Sequence, residues 1–522
     1  MSRFASETGN SPVQTARVPP ATSDKQSTQL RGRMGSVSLT LTVLAFNAPI
    51  ACATGYIPIA IIFGGEATPV AFLLATTILL IFSVGYVTMT RRVDRPGAFY
   101  TFVSRGLGKS AGLGTAYLAI ASYMLVLIGM YVFIGVLTSD FIQSLGGPAV
   151  PWWIGGAIGF LIVSILGYFN VELSAKVLFL VMVVEILVIL IFNVFTLAQG
   201  GAEGLSATPW SPAEFFSTGS VGVTMLFALM VFMGIESTAL YRDEVRKPSV
   251  TIPRATYGAV TFVGLLYAVT CWALISAYGS SAVDVATNNT VDMFASAAGH
   301  FVGPIFIQIT LIMAVMSSFA ANVSIHNTIT RYAYNLGHDR ALPHVLAHVH
   351  GKHASPHIAS NVVAAVVGLA IILVAILPID GVTLYGVVVS IGTVGVLGLM
   401  AFVSFAITAW FVRLRSSNSD GPWKTYIAPA LSFLALSFVV ATAAINFHLV
   451  AGGEPGQYNW LLIPLPLVLL VGVVIALRLR RIDPSTYSRL GRDEPTAEHT
   501  SEEPDDTLRD PALSSTASGK GQ

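Results

Sequence analysis

The sequence predicts an all-α polytopic membrane protein with twelve transmembrane helices. Three observations carry that prediction: a composition too apolar for a water-exposed surface, apolar runs of helical length, and positive charge confined to alternate connections. Of 522 residues, 54% are hydrophobic and 11% charged, with a mean hydropathy of +0.72. An ordinary soluble domain is about 25% charged. The 28 Lys and Arg and 27 Asp and Glu cannot clothe a soluble protein of this size. A soluble enzyme, a nucleic-acid binder and a disordered scaffold are thereby excluded. Cys52 and Cys271 both lie in apolar runs, so neither a disulfide framework nor a Cys-rich metal site is indicated.

A bilayer core of about 30 Å needs roughly 20 apolar residues in a helix. Twelve runs qualify: 36–63, 68–89, 112–138, 151–168, 171–198, 215–240, 255–279, 301–330, 359–378, 383–412, 426–450 and 460–478. The fourth is short, and is divided from the fifth at Tyr168-Phe169-Asn170. The eighth and tenth are long enough to tilt or project. Such continuous runs favour helices, because barrel strands alternate over ten-residue segments. Pro and Gly within them are compatible with membrane helices.

With the N-terminus inside, all 28 Lys and Arg fall on inner segments. The outer loops instead carry Glu66, Asp140, Glu203, Glu214, Asp284, Asp292, Asp380 and Glu454. That is the cytoplasmic enrichment expected of Lys and Arg. One span more or fewer would move downstream charges outside. An even span number with both termini cytoplasmic follows, in a multi-pass plasma (inner) membrane protein. A twelve-helix domain, 35–482, is flanked by tails expected to be disordered. Residues 1–34 are rich in Ser, Thr, Gln and Pro and lack the apolar core of a signal peptide. Residues 483–522 hold nine acids against four bases.

Two segments carry a family resemblance. One is Phe232-Met-Gly-Ile-Glu236 with Glu244-Val-Arg-Lys-Pro248 and Ile252-Pro-Arg-Ala255. The other is Asp94-Arg-Pro-Gly-Ala-Phe-Tyr100, followed by a Gly-rich stretch to Gly114. Arg331-Tyr-Ala-Tyr-Asn335, Asp339-Arg-Ala-Leu-Pro343 and Asn170-Val171 with Lys176 follow the same order. Over roughly residues 36–480 the chain resembles the amino acid–polyamine–organocation permeases. The resemblance implies two inverted five-helix repeats, 36–198 and 215–412, plus two final helices at 426–478. Spans 1 and 6 are then broken at mid-membrane with substrate between them. The physical logic stands apart from the family: a broken helix offers unpaired N–H and C=O groups to charged substrate ends, where it lines a cavity.

In span 1, Asn47-Ala-Pro-Ile-Ala-Cys-Ala-Thr-Gly55 supplies the break. Pro49 has no N–H and clashes with the preceding turn. Asn47, Ile50, Ala51, Cys52, Ala53 and Thr54 are therefore candidate substrate contacts; the alternative is a proline kink with small residues for packing. Where the family usually has two glycines around a small residue, this chain has Ala51 to Ala53. In span 6, Gly234 marks a break and Phe232 is placed as a gate by the resemblance. Glu236 lies in an apolar run, where a carboxylate needs partners. It either braces unwound backbone or meets a substrate amine. Tyr123 in span 3 is a further cavity candidate.

Glu185 sits fourteen residues into span 5 among Val183, Val184, Ile186 and Leu187. By the resemblance it stands where some proton-coupled relatives place a lysine that reaches the span 1 backbone. A desolvated carboxylate favours its neutral form, which suits proton exchange. Attraction of a cationic substrate or a metal cation, and a purely structural hydrogen bond, are the alternatives. Asn322 and His326 share a face of span 8, and Ser390 and Thr393 lie along span 10. His338, His344, His348, His350, His353 and His357 are too irregularly spaced for a zinc site. No Gly-rich loop followed by Lys-Ser/Thr supports ATP-driven transport.

These features predict a secondary transporter for an amino acid or related amine, by proton symport, without enzymatic chemistry or cofactor. A polyamine (putrescine-like) carrier or an amino acid/amine exchanger is the alternative. The expected partners are the small-molecule substrate, protons and membrane lipid, in a monomer or homodimer, with no nucleic acid.

Overall fold

The computed structural model describes residues 35–36, 39–40, 44, 47–92, 99–169, 175–235, 245, 247–349, 356–414 and 420–490. Among these the protein is a bundle of helices with no sheet. The longer helices are α1 (Pro49–Gly64), α2 (Thr68–Thr90), α3 (Phe99–Leu107), α4 (Lys109–Ser144), α5 (Trp152–Tyr168), α6 (Ala175–Ala198) and α7 (Val221–Met230). There follow α8 (Pro248–Tyr278), α9 (Asp292–Phe301), α10 (Ile305–His338), α11 (His357–Ala375), α12 (Gly381–Arg413), α13 (Ala428–Ile445) and α14 (Pro464–Ile482). Among the described residues, nine helical stretches are long and apolar enough to cross a membrane, one of them joining α1 and α2; α5 and α7 are shorter apolar helices. The chain is a multi-pass membrane protein.

Several boundaries differ from those read in the sequence, for local reasons. The apolar run at 215–240 is not one helix. A short helix, Pro212–Ser217, ends before Gly219, whose φ of 74° no helix continues through, and α7 starts afresh at Val221. The eighth run begins at Ile305 rather than 301, because Gly303 and Pro304 separate α9 from α10. It also runs on to His338, since amphipathic helix continues beyond the apolar stretch. At 36 and 34 residues, α4 and α10 exceed the length needed to cross the lipid, as about 1.5 Å of rise per residue makes clear.

The tail expected to be disordered from 483 instead opens with an ordered helix, α15 (Pro484–Arg489). The Asp483 carboxylate caps it, accepting from the Thr486 N–H at 3.0 Å. Lys109 Nζ donates to the carbonyls of Tyr487 and Ser488. Leu490 is buried with Leu113, Ala116, Leu336, Ala341 and Ala476. The first turn of the tail is thus part of the folded domain.

The two ends of the bundle differ in charge. At one end Arg92 pairs with Asp420 at 2.5 Å, Lys109 holds α15, and Tyr117 donates to the Ala341 carbonyl at 3.2 Å. At the other, Gln199 donates to the Phe301 carbonyl at 2.7 Å and Glu203 accepts from Ser280.

Candidate substrate site

α1 begins where the chain must leave helical geometry. Asn47 is helical and Pro49 opens the next helix, but Ala48 between them has φ 50° and ψ 72°. Proline disfavours α geometry in the residue before it. A left-handed alanine costs roughly 1–2 kcal/mol, so its surroundings must hold it. They do so from three helices. The Glu185 carboxylate of α6 accepts the Ile50 N–H at 3.3 Å, and the Ser317 hydroxyl of α10 at 2.7 Å. Tyr267 of α8 donates to the Pro49 carbonyl at 3.5 Å. No side chain at Ala48 caps α1, so Glu185, 135 residues away, satisfies one of the donors that every helix start leaves open. It also places negative charge where the helix dipole is positive.

α7 ends in a different way. After Met230 the chain makes tight turns, with Phe232 N–H bonded to the Leu229 carbonyl and Met233 N–H to that of Met230. Gly234 has φ 105°, a region that glycine alone enters freely.

Between these helix ends lies a cavity of about 20 Å³, room for a water molecule and not for an amino acid. Asn47, Ala48, Ala51, Cys52 and Tyr56 line it from the α1 side, and Val126 and Met130 from α4. Met230 and Met233 close it at the end of α7, and Ala321 and Ile325 at α10. Aromatic layers lie on both sides along α4. Tyr56 stacks on Tyr385 with centroids 5.9 Å apart, and Phe133 on Tyr385 at 4.5 Å. Gly55 permits this approach: a Cβ there would lie 2.7 Å from the Tyr385 hydroxyl. Towards the opposite end, Tyr123 meets Tyr332, which meets Tyr100, at 6.2 and 6.3 Å.

Of the residues singled out in the sequence, Asn47, Ala51 and Cys52 line the cavity. Ile50, Ala53 and Thr54 are buried in the same turns without lining it. Ile50 contributes its N–H to Glu185, and the Thr54 hydroxyl turns back onto the Ile50 carbonyl at 2.9 Å. Tyr123 belongs to an aromatic layer. Phe232 is buried beside the site, but its neighbours Met230 and Met233 form the wall. Glu236 lies outside the described residues. His326 shares a hydrogen bond with Ser360 at 3.0 Å, away from the cavity lining.

Sequence reasoning missed the methionines, Tyr56, Tyr267 and Ser317. Each is an ordinary residue of an apolar run, and no spacing marks its partner on another helix.

A polytopic helical membrane bundle with an internal cavity at the start of α1 is the class that fold and site define. The chain matches the amino acid permease family model over residues 38–474 and belongs to that family. It is 24% identical to the aromatic amino acid transport protein AroP of Escherichia coli K12 over 270 residues, 49% of this chain and 56% of that protein. It is 23% identical to the branched-chain amino acid permease BcaP of Bacillus subtilis over 440 residues, 80% of this chain and 88% of the relative. It is 25% identical to the amino-acid permease AapA of Bacillus subtilis over 273 residues, 51% and 56%. The chain thus spans a little over half the length of AroP and AapA, and most of BcaP.

Proposed function

We propose that this protein is a secondary active permease that imports an amino acid or related amine across the plasma membrane by proton symport. Its relatives' names support an amino acid as cargo. The reading includes twelve spans, two inverted five-helix repeats (36–198 and 215–412), two further helices, and both termini in the cytoplasm. The confinement of Lys and Arg to alternate connections supports that orientation.

One observation carries the coupling: the Glu185 carboxylate occupies the N-terminal turn of α1 beside the cavity, bonded to the Ile50 N–H and the Ser317 hydroxyl. The carboxylate end of an amino acid is drawn to the same positive helix end. Its ammonium is drawn to the negative end of α7. Ionised Glu185 therefore repels the substrate carboxylate. A proton on Glu185 removes that repulsion and adds an O–H donor to the α1–α6–α10 junction. Proton and substrate binding are then thermodynamically linked, each tightening the other. Entry of both from outside, closure at the aromatic layers and release inside complete an alternating-access cycle.

The test is uptake by purified protein in liposomes. A panel of neutral, acidic and basic amino acids, GABA, ethanolamine and putrescine is offered with and without an inward proton gradient. Accumulation of one substrate only with the gradient is expected. Glu185→Gln, a permanent mimic of the neutral acid, keeps binding, binds independently of pH and loses gradient-driven accumulation. Gradient-driven accumulation that survives in the variant sinks the role of Glu185. Movement only against substrate preloaded on the far side identifies an exchanger.

A further inference from the structure

The cavity wall is unusual in its sulfur content. Met130, Met230, Met233 and Cys52 all line a space of about 20 Å³, and among the described residues no ionised side chain joins them. Glu185 is spent on Ile50 and Ser317 and is not in the lining. Among the described residues this lining offers no counter-charge for a second ionised group on a substrate, and an uncompensated buried charge is strongly disfavoured.

The three methionines are not equivalent. The Thr393 hydroxyl lies 2.8 Å from the Met230 sulfur. The Tyr56 hydroxyl lies 3.6 Å from that of Met130, and the Tyr56 ring is itself stacked on Tyr385. These two side chains are tied to α12 and α1. Among the described residues, no hydroxyl meets the Met233 sulfur. Met233 is also the one residue between Gly222 and Ile235 that is not fully buried, because it borders the open space. It sits in the turns after α7, one residue before Gly234, where the backbone is not held by a helical ladder. Methionine is unbranched and adapts its shape to its neighbours. Since no amino acid fits the cavity as it stands, some wall must yield on binding, and of the three long, flexible methionines Met233 is the one whose sulfur no hydroxyl holds among the described residues.

Building on the transport reading above, we propose that the site takes neutral amino acids with apolar aliphatic or thioether side chains, and that Met233 is the adjustable wall that sets their upper size. Met130 and Met230 are the fixed walls. Shortening Met233 admits larger side chains, and lengthening it excludes all but the smallest. One methylene in a hydrophobic pocket changes discrimination by roughly tenfold or more.

The experiment measures ligand binding to the purified full chain by thermal-shift titration, beside uptake in liposomes. The probes are alanine, valine, leucine, methionine, phenylalanine, tryptophan, lysine, glutamate and putrescine. The wild type is expected to bind leucine and methionine, and to bind lysine, glutamate and putrescine at least about tenfold more weakly. Met233→Ala shifts the phenylalanine-to-alanine preference upward by about tenfold, Met233→Phe shifts it downward, and the volume-conserving Met233→Leu leaves it unchanged. Variants that weaken every ligand equally, or leave the preference unmoved, overturn the role of Met233. Lysine or putrescine binding as tightly as leucine overturns the substrate class. Neutral amino acids that bind with this size dependence but are never carried across the bilayer leave the present inference standing and sink the transport reading alone.

Discussion

Glu185 and Glu203 make nearly the same bonds in opposite surroundings. Each carboxylate accepts one backbone N–H and one serine hydroxyl: Ile50 and Ser317 for Glu185, at 3.3 and 2.7 Å, and Ser280 twice for Glu203, at 3.1 and 2.7 Å. Glu185 is 2% exposed within the bundle, whereas Glu203 lies in solvent on the α6–α7 connection. For Glu203, water can replace any lost partner. For Glu185 it cannot, so the bond pattern that merely ties a loop at the surface ties three helices together in the interior. The lesson is that burial, more than the bonds themselves, makes a carboxylate consequential.

The sharpest way to break the comparison is to remove both side chains. Glu185→Ala leaves the Ile50 N–H and the Ser317 hydroxyl without their acceptor, at roughly 1–3 kcal/mol for each buried group. A clear fall in the thermal midpoint of the detergent-solubilised protein is expected, with none resolved for Glu203→Ala. Equal midpoints for the two variants would refute the argument from burial.

Gly234→Ala separates carboxylate chemistry from backbone strain at the other helix end. At φ 105° a Cβ costs roughly 1–3 kcal/mol. The variant should unfold earlier yet keep the pH dependence of substrate binding, which Glu185→Gln loses. Loss of that dependence in Gly234→Ala would show that the two helix ends are not independent.

Ser317→Ala removes one of the two bonds to Glu185 and leaves the other, a change of about 1 kcal/mol. An intact Ile50 bond should preserve proton-driven uptake and its dependence on the gradient, with a smaller fall in thermal midpoint than Glu185→Ala. Loss of gradient-driven uptake would show that the Ser317 bond, and not the Ile50 bond, holds the carboxylate in its working position.

The smallest effect belongs to Glu203. The Ser280 hydroxyl, and then its N–H, hold this carboxyl below the usual range. A depressed carboxylate contributes its tether above its ordinary titration range and loses it as pH falls through the depressed value. Hydrogen exchange at the Ser280 amide, corrected for intrinsic rate, should accelerate only in that acid window. Glu203→Gln should make it independent of pH.

Much of the molecule was legible in linear order. Apolar runs of about twenty residues or more announced helices. Pro49 announced where α1 begins, since a missing N–H is a local property. Glu185 was conspicuous because a carboxylate among Val183, Val184, Ile186 and Leu187 needs a reason. Its partners were not conspicuous. Ser317 is one of many serines in apolar helices, and an Ile50 N–H carries no mark in a sequence. Met233 was hidden for the opposite reason: methionine in an apolar run is the expected residue, and Phe232 beside it drew the attention that an aromatic draws. The helix at 484–489 was masked by the polar composition of the tail, because a capped turn held by Lys109 needs little apolar surface of its own.

By itself the sequence determined membrane residence, helical class, the two-sided charge distribution and the start of α1, all of which follow from chain-local terms: transfer free energy, helical length and the geometry of proline. Only the tertiary structure decided which N–H Glu185 would take, which methionines would face one another across the cavity, and which of them would be left untied. Those outcomes depend on how distant helices are rotated about their own axes. That rotation is set by packing small residues such as Gly55 against large ones such as Phe133 and Tyr385, a sum over many contacts that no single stretch of chain contains.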